Sequence, residues 1–315
     1  MDIDLVYLWV NGNDPKWVAK HDAYSREMPY SERNCTGRYA DNGELKYSLR
    51  SVERYAPWIR NIFIVTDRQV PEWLNTAHPR IHIVDHSDIM PPECLPCFNS
   101  VVIEHHLHLI PGLSEHFLYA NDDTLLNKPV TPQTFFGTDS FPIIRMRRHY
   151  FRKLFVIFRT KIVRHPLNTY AQTIHNAALL VEKKFGIYYN GRTHHCIDAY
   201  LKSSYCLTRQ LFNQEIEATT AHRIRSPHDI QRNLYAYTAL ATRCGHLTYV
   251  DNHTSLNIRI HWLHSKSATL FDDHFEQYAP TFVCLNDTQY STADDRAKTH
   301  SFLQKLFPNK SPFEL

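Results

Sequence analysis

Residues 117–125 read FLYANDDTL, and this stretch decides the fold because an apolar run ends abruptly in Asn121, Asp122 and Asp123. The apolar part, residues 117–120, is typical of a buried strand. Acidic side chains at the carboxyl end of a strand in an open α/β sheet lie where ligands bind, and their oxygens suit Mg²⁺ or Mn²⁺. A solvated turn explains the same residues, since Asn and Asp favour turns. This stretch alone leaves both interpretations open.

Three further apolar runs share this design and favour the ligand-binding interpretation. Residues 4–10 (DLVYLWV) run into Asn11-Gly12-Asn13-Asp14-Pro15, residues 62–65 (IFIV) end in Thr66-Asp67, and residues 81–84 (IHIV) end in Asp85-His86. Between the first two runs, residues 44–55 (ELKYSLRSVERY) carry apolar residues at helical spacing. Strands alternating with helices predict an α/β fold with a mostly parallel, Rossmann-like sheet whose carboxyl ends gather the ligands.

Composition is consistent with an enzyme and gives no sign of nucleic-acid binding. The 315 residues carry a formal charge of only +3, which is too small to indicate a nucleic-acid partner. The length suits one large α/β domain with an inserted or appended subdomain. No signal peptide or membrane-spanning run is visible, so a cytoplasmic protein is expected.

A basic and aromatic cluster stands out locally, between residues 141 and 155. Its basic members are Arg145, Arg147, Arg148, Arg152 and Lys153, and its aromatic members are Phe141, Tyr150, Phe151 and Phe155. Such a surface suits an anionic polymer or a membrane surface. A solvated loop or helix face is the alternative.

Cysteine usage predicts a reducing compartment, because seven is an odd number and the spacing forms no disulfide framework. Cys94-Leu95-Pro96-Cys97 looks like half of a zinc site or a redox pair. A structural zinc needs a second pair of ligands. The remaining cysteines are scattered singly, so the sequence supplies no complete zinc site.

Polar residues also cluster in the second half of the chain. His175-Asn176 is predicted to open an apolar helix (AALLVEKKF), and His194-His195 to precede a helix-like segment through Leu201. Residues 221–229 (AHRIRSPHD) precede a helix that is predicted at 230–240. Arginine side chains and the amino terminus of a helix both bind phosphate oxygens, so this loop is a candidate phosphate site. An exposed basic turn is the alternative. Residues 282–287 (FVCLND) also read as a short apolar strand that ends in Asn-Asp, and Asp287 is therefore a second candidate carboxylate.

These stretches together resemble the Stealth proteins, phosphosugar transferases that include bacterial capsule-polymer hexose-1-phosphate transferases and the animal N-acetylglucosamine-1-phosphotransferase. The likeness is carried by DLVYLWVNGNDP at the first strand, by residues 37–74 (GRYADNGELKYSLRSVERY and onward), and by residues 95–123, which end in FLYANDD. It continues more weakly through the His195 segment and HRIRSPHD, and returns in FVCLNDTQ and FPNKSPFEL. The four conserved regions of the family are therefore expected in order.

Two positions depart from the family pattern. Asn11 stands where many bacterial members have Asp, so this position is expected to bind rather than to act as a base. Cys97 replaces a usual Thr, which weakens the zinc interpretation further. The recognition modules of the animal enzyme are not visible, which favours a compact bacterial enzyme.

The resemblance implies transfer of a sugar-1-phosphate, of N-acetylglucosamine or a related hexose, from a UDP-sugar to an acceptor hydroxyl. The products are a phosphodiester and UMP. Charge grows on phosphate oxygens during this reaction, so a divalent cation, Mg²⁺ or Mn²⁺, and fixed cationic groups are expected. The expected metal ligands are Asp122, Asp123, Asn286 and Asp287. Arg223 and Arg225 are expected to clamp the phosphates, and Asp41, His195 or His222 to receive the acceptor proton.

The matched segments also imply the donor-binding positions and the division of the chain. The expected donor-binding residues are Trp9, Asn11, Gly12, Asp14, Arg38, Arg50, Thr66, Asp67 and Asn99. A nucleotide-sugar-binding part is expected at residues 1–140, a mainly helical subdomain at 141–245, and a return to the core at 246–315. Expected partners are the UDP-sugar, a saccharide or polysaccharide acceptor, other capsule-synthesis enzymes and the inner face of the bacterial plasma membrane.

Two other functions stay open from the residues alone. A metal-dependent glycosyltransferase would use a similar fold and acidic motif but would release UDP. A non-catalytic polysaccharide-binding protein would use aromatic residues such as Tyr55, Trp58 and Trp73 as a stacking surface, although their amphipathic context favours core packing. The nucleotide product separates the three functions.

Overall fold

A computed structural model of the protein describes residues 1–25, 37, 39–263 and 270–315. Eleven strands are found in these residues: β1 Ile3–Leu8, β2 Ile62–Thr66, β3 Ile81–Asp85, β4 His116–Asn121, β5 Thr124–Leu126, β6 Ile143–Arg147, β7 Arg192–Thr193, β8 Asp198–Leu201, β9 His246–Tyr249, β10 Ser255–Arg259 and β11 Phe282–Asn286.

The same residues form twelve α-helices. They are α1 Pro15–Ser25, α2 Glu44–Tyr55, α3 His86–Ile89, α4 Ser100–Glu104, α5 Pro132–Phe135, α6 Arg152–Ile157, α7 Thr169–Phe185, α8 Lys202–Leu211, α9 Asn213–Thr220, α10 Asn233–Ala241, α11 Leu270–Tyr278 and α12 Ala293–Leu306. A π-helical turn, Phe158–Ile162, follows α6 directly.

The main sheet has five strands in the order β3-β2-β1-β4-β8. The first four are parallel, and β8 is antiparallel to β4. Successive residues of β1 enter cores on opposite faces: Leu5 and Tyr7 pack with α2, and Val6 packs with Phe117 and Val102. Burial on both faces is the reason that these strands are continuously apolar. The predicted α/β fold with a mostly parallel sheet is confirmed.

The strand order creates a switch point between β1 and β4. From β1 the chain adds β2 and β3 on one side, and β4 then pairs on the other side, with Leu8 opposite Asn121. Ligands of open α/β sheets bind at the carboxyl ends of strands at such a switch point. The loop after Leu8 and the Asn121-Asp122-Asp123 turn therefore flank the expected crevice.

A second sheet, in the order β10-β11-β5, brings the other Asn-Asp sequence to this crevice. Strand β5 follows the turn at once and pairs antiparallel with β11, with Thr124 opposite Cys284. Helix α2 holds the other edge of β5, since Ser48 Oγ donates to the Thr124 carbonyl (2.5 Å) and Ser51 Oγ accepts from Leu126 N–H (3.0 Å). The end of β11 therefore lies beside Asp123.

Two local predictions in the second half of the chain were wrong. His175-Asn176 lies in the middle of α7, which begins six residues before His175. The helix begins there because the Asn168 side chain accepts from Ala171 N–H and caps its amino terminus. The segment through Leu201 is strand β8, because pairing with β4 satisfies its backbone groups. The helix predicted at 230–240 is confirmed as α10, with its start at Asn233.

The division at residues 140 and 245 stays a prediction. Helices α6 to α10 do lie between these positions, but β8 from the same range joins the main sheet. Strand β9 pairs with β6 across the second boundary. Of the helices in the described residues, none has the length and apolar character needed to cross a bilayer.

Candidate active site

The turn after β4 holds two acidic residues in a shielded position. Burial raises the pKa of Asp122 well above its usual range, and the nearby carboxylates of Asp123, Glu44 and Asp41 raise it further. Burial also raises the pKa of Asp123 to about 6, although hydrogen bonds from Cys284 and Thr124 oppose the shift. Like charges this close together in a partly buried position are typical of functional sites.

The second Asn-Asp sequence lies next to this pair but is already engaged. Asp287 accepts from Arg296 Nε (2.8 Å) and from Asn42 Nδ2 (3.1 Å), and its charge acts on Asp123. Asn286 is the last residue of β11, where it pairs with Arg259 of β10. Arg296 and Asn42 also line a cavity of about 160 Å³ together with Asn13 and Ala40.

Helix α2 adds a carboxylate that the sequence analysis missed. Glu44 is buried, and burial raises its pKa to about 7, against hydrogen bonds from Asn42. Asn42 donates through its side chain to Glu44 (2.7 Å) and to Asp287 (3.1 Å), so it bridges the two acids. Glu44 lies three residues after Asp41, and this spacing of acids was the available signal.

Asp41 acts on Asp122 and Glu44 through its charge and completes an acidic group formed by Asp41, Glu44, Asp122, Asp123 and Asp287. Its Oδ1 accepts from Gly43 N–H (2.9 Å), the residue that precedes α2. Gly43 has φ 81° and makes no side-chain cap. Asp41 therefore stabilises the turn before the helix rather than the first turn of the helix itself.

The loop after β1 is built by a glutamine that the sequence analysis did not single out. Gln69 accepts from Asn11 N–H (2.9 Å) and donates to the Asn11 carbonyl (3.1 Å) and to Asp14 (3.0 Å). This last bond lowers the pKa of Asp14. Gly12 donates to the Tyr39 carbonyl (2.9 Å), and a Cβ at this position would lie 2.2 Å from that oxygen. The loop therefore requires Gly12 for close packing.

Three further donor-binding candidates lie at the carboxyl ends of β1 and β2. Trp9 is buried, and its indole N–H has no hydrogen-bond partner among the described residues. The buried Thr66 hydroxyl is also unpartnered in the described part of the chain. Asp67 forms an ion pair with Lys20 of α1. Buried polar groups without partners are uncommon, and donor binding by Trp9 and Thr66 stays a prediction.

Arg50 does not join these residues. The Arg50 guanidinium donates to both oxygens of Glu314 (2.8 and 2.7 Å) and to the Phe307 carbonyl (2.6 Å). This bidentate pair anchors the last described segment on α2, which weighs against donor binding by Arg50. Arg38 lies outside the described residues.

The HRIRSPHD loop contains a histidine oriented by a buried acid. His222 Nδ1 is 2.7 Å from Asp229 Oδ1, and Asp229 is fully buried. Asp229 Oδ2 accepts from Asn99 Nδ2 (2.8 Å) and from Ser226 N–H (2.9 Å). Asn99 also caps α4 by accepting from Val101 N–H (3.2 Å). Asn99 therefore positions the His222–Asp229 pair instead of facing a donor.

The two arginines of this loop have different surroundings. Arg225 donates to Ser100 Oγ (2.7 Å) at the start of α4, and its charge acts on Glu104 and His195. Arg223 donates to the Glu93 carbonyl (2.9 Å) and lies 5.2 Å above the Tyr24 ring. Only Arg225 therefore faces the other charged groups.

His195 belongs to a buried cluster with Arg232. Burial lowers the pKa of His195 to about 3, and the charges of Arg232, Arg192 and Arg225 act in the same direction. Its Nδ1 is buried with no partner in the described part of the chain. A histidine of such low basicity is neutral near pH 7 and accepts a proton poorly.

Arg232 was missed by the sequence analysis because it directly precedes a helix, α10, whose sequence is that of an ordinary apolar helix. The guanidinium pairs with Asp198 of β8 and lies 3.6 Å from Glu104. Tyr119 Oη is within hydrogen-bond distance of Glu104 (3.0 Å) and of Asn121 (2.8 Å). Arg232, with Arg192 and Arg225, acts on His195, and these four residues are called the cationic group. Asn121, which directly precedes Asp122, is therefore connected to Arg232 of this group through Tyr119 and Glu104.

The chemistry of the acidic group suits a divalent cation that is completed by a substrate. Asp122 and Asp123 offer hard oxygen ligands, and their pKa values are raised first by burial and then by neighbouring carboxylates, both of which a bound cation would offset. Within the described residues, no three His, Cys, Asp or Glu side chains are close enough to hold a metal. Mg²⁺ is commonly bound by one or two carboxylates with substrate phosphates and water. The residues present fit that arrangement.

The cysteine pair does not extend to a zinc site in the described residues. Cys94 and Cys97 are both buried free thiols. Burial raises the pKa of Cys97 to about 12, and in the part of the chain that the structure describes no third His, Cys, Asp or Glu joins the pair as a metal ligand. Cys97 donates weakly to the Asn99 carbonyl (3.5 Å).

The fold and its acidic group at a sheet switch point define an α/β protein with a candidate ligand crevice at the carboxyl ends of its parallel strands. Three family models match the chain: Stealth protein CR1, conserved region 1, at residues 1–29; CR2, conserved region 2, at 38–144; and CR4, conserved region 4, at 265–315. The chain belongs to the Stealth family. The weaker resemblance between residues 165 and 229 stays a prediction.

Curated relatives agree with this family. An exopolysaccharide phosphotransferase of Streptomyces coelicolor is 36% identical over 335 residues, covering 99% of this chain and 52% of the relative. A capsular polysaccharide phosphotransferase of Streptococcus pneumoniae is 30% identical over 345 residues, covering 99% of both. The chain spans about half the length of the first of these relatives and of a second Streptomyces coelicolor exopolysaccharide phosphotransferase, covering 52% and 51% of them.

A solved structure shows a weaker likeness. The glycosyltransferase GlyE of Streptococcus pneumoniae superposes with a TM-score of 0.47 and 9% identity, covering 98% of this chain and 61% of that one. A score at this level carries no argument about activity.

Proposed function

We propose that this protein transfers a sugar-1-phosphate from a UDP-sugar to a saccharide hydroxyl in capsule or cell-surface polysaccharide synthesis. The observation that carries the proposal is the acidic group at the carboxyl end of β4, which Asn121, Tyr119 and Glu104 connect to Arg232 of the cationic group. Phosphoryl transfer requires this combination, because charge on the transferred phosphate must be neutralised from several sides. Relatives named phosphotransferases support the same reaction.

The reaction is a substitution at the β-phosphorus of the donor. The acceptor oxygen bonds to this phosphorus, the bond to the oxygen that bridges to the α-phosphate breaks, and UMP leaves with that oxygen. Negative charge grows on the bridging and equatorial oxygens. Arg225 is the cationic residue that best fits the equatorial oxygens, because its fork can bind two of them. A divalent cation held by Asp122 and Asp123 would supply further neutralisation.

His222 is the residue that best fits the base. Asp229 holds Nδ1 at 2.7 Å, and 37% of the His222 side chain is exposed. Among the described residues, Nε2 has no hydrogen-bond partner. A carboxylate that orients one ring nitrogen leaves the other to take the proton of the acceptor hydroxyl. His195 has the wrong basicity for this role, and Asp41 remains the alternative.

The nucleotide product tests the reaction. Purified protein is incubated with Mg²⁺, a panel of UDP-sugars with N-acetylglucosamine first, and saccharide acceptors, and the products are analysed by chromatography and phosphorus NMR. UMP together with a new phosphodiester signal is expected. Release of UDP would instead assign a glycosyltransferase, and no turnover with any donor would assign a binding protein.

A variant pair tests the base. His222→Gln should lower kcat by about 10²- to 10⁴-fold, with UDP-sugar affinity unchanged in calorimetry. His228→Gln is the matched control, since His228 is an exposed histidine of the same loop. Equal rates for the two variants would remove His222 from the reaction and leave Asp41 as the candidate.

A further inference from the structure

The segment at residues 150–163 exposes an unusual amount of apolar surface. It comprises the end of the loop after β6, helix α6 and the π-helical turn. Its exposed apolar side chains, with the exposed fraction of each, are Tyr150 (70%), Phe151 (71%), Leu154 (63%), Phe155 (57%), Phe158 (53%), Ile162 (68%) and Val163 (54%). Single exposed apolar residues are ordinary, but a contiguous group of this size marks an interaction site.

The helix is fixed with its apolar face outward. Val156 is buried, whereas Leu154, Phe155 and Phe158 are exposed, so the face that packs on the protein is the narrower one. Lys153 N–H donates to Asn190 (3.0 Å), and its ammonium pairs with Glu182 of α7. These contacts hold α6 against α7. The exposed side chains are therefore presented by an anchored helix.

The charged residues of the segment and of the chain that flanks it are all basic, and the one acid described in contact with the segment, Glu182, is paired with Lys153. No Asp or Glu occurs between Asp139 and Glu182. Exposed cations lie before helix α6 at Arg147 and Arg148, and after it at Lys161 and Arg164. Residues 161–166, which include the last two, are all exposed. Cations that border an apolar helix face are typical of segments lying in the interface of a bilayer with anionic lipids.

We propose that the 150–163 segment docks the protein on a bilayer surface that contains anionic lipids. The aromatic and aliphatic side chains enter the boundary between headgroups and acyl chains, and the bordering cations meet the lipid phosphates. A protein partner would need acidic side chains arranged around an apolar groove, whereas a fluid anionic bilayer supplies both features everywhere. The apolar area and the charge together provide the two signals that stable peripheral binding requires.

The docking segment begins beside the cationic group of the candidate active site. His149 directly precedes the segment, and the charges of Arg192 and Arg152 act on it. Arg192 also acts on His195, which belongs to the cationic group. Docking through residues 150–163 would therefore hold that side of the site close to the membrane surface.

Vesicle flotation of the full chain tests the proposal. Vesicles of phosphatidylcholine alone are compared with vesicles that also contain phosphatidylglycerol. The wild-type protein should float with the anionic vesicles, and binding should weaken severalfold in about 0.5 M salt, because salt screens the lipid charge. Phe155→Ser/Phe158→Ser should reduce partitioning by about tenfold or more, since two exposed rings no longer leave water.

Two further variants make the test specific. Arg147→Gln/Lys161→Gln should reduce binding to anionic vesicles and leave the thermal midpoint unchanged, since both side chains are exposed. Leu109→Ser/Leu207→Ser removes two exposed apolar residues outside the segment and should bind as the wild type does. Thermal melts of all variants establish that each one is folded.

Three outcomes would overturn the proposal. The first is no flotation of the wild type, or equal flotation with neutral and anionic vesicles. The second is unchanged partitioning of the folded Phe155→Ser/Phe158→Ser variant. The third is that the wild type is a dimer in light scattering, the Phe155→Ser/Phe158→Ser variant is a monomer, and neither protein binds vesicles. That result would assign the apolar face to contact with a second copy of the chain.

Discussion

Replacing Glu44 with glutamine should stabilise the protein at mildly alkaline pH, because Glu44 is a buried acid beside other acids. Burial raises its pKa from an ordinary value of 4.5 to about 7. Below the ordinary value the carboxyl is protonated in both the folded and the unfolded chain and has no effect on stability. As pH rises from 4.5 to 7 the unfolded chain loses the proton first, so the folded state becomes progressively less stable. Above pH 7 the full penalty is present.

The size of the effect follows from the same values. Each pH unit between the two pKa values corresponds to about 1.4 kcal/mol, so ionised Glu44 costs the folded state roughly 3 kcal/mol. Glutamine removes this penalty but accepts only one of the two hydrogen bonds from Asn42 (2.8 and 2.7 Å), a loss of about 1 kcal/mol. Glu44→Gln should therefore be about 2 kcal/mol more stable than wild type near pH 8.

Urea unfolding in EDTA at several pH values measures this difference. The two proteins should be close in stability at about pH 5 and diverge as the pH rises toward 8. Glu53→Gln, on the same helix but half-exposed and paired with Arg80 (3.0 Å), should change stability by less than about 0.5 kcal/mol at every pH. Parallel stability curves for Glu44→Gln and wild type would refute the assigned burial and charge of Glu44.

Three other changes have defined outcomes. Asp41→Asn should remain folded and bind UDP-sugar, because Asn can still accept from Gly43 N–H, but it should lose nearly all transfer; near-normal turnover would reduce Asp41 to a turn residue. Chelation should abolish turnover and Mg²⁺ or Mn²⁺ restore it, whereas full activity in excess EDTA with no bound metal detected would contradict a role for Asp122 and Asp123. Arg232→Ala should destabilise the fold by about 3 to 5 kcal/mol in urea unfolding, because buried Asp198 loses its partner. A loss of stability smaller than that caused by replacing an exposed arginine would contradict the buried Arg232–Asp198 pair.

Sequence patterns predicted the first half of the fold well, because they report local burial. The continuous apolar runs around Leu5, Ile64 and Leu118 became parallel strands, and the helical spacing at residues 44–55 became α2 with those bounds. Patterns failed at β8, whose four residues satisfy no periodicity long enough to separate strand from helix. Its identity depends on β4, which lies about eighty residues earlier in the chain.

The candidate site was only partly readable for a similar reason. Asp122 and Asp123 were visible because two carboxylates interrupt an apolar strand. Glu44 and Arg232 were not, since Glu44 opens a helix, and Arg232 directly precedes one, whose sequence is compatible with ordinary packing or a solvated face. Their importance arises from burial beside other charges, and no local pattern measures that.

The sequence by itself determined the family, the parallel sheet and the acidic strand ends, because apolar periodicity and short polar motifs are local properties of the chain. Only the tertiary structure decided which of these ends meet. The pairing of β5 with β11 brings Asp287 to Asp123 across some 160 residues, and Asp229 reaches Asn99 across 130. Such contacts are set by strand register and helix packing, and the pKa of each acid then follows from neighbours that the linear sequence keeps far apart.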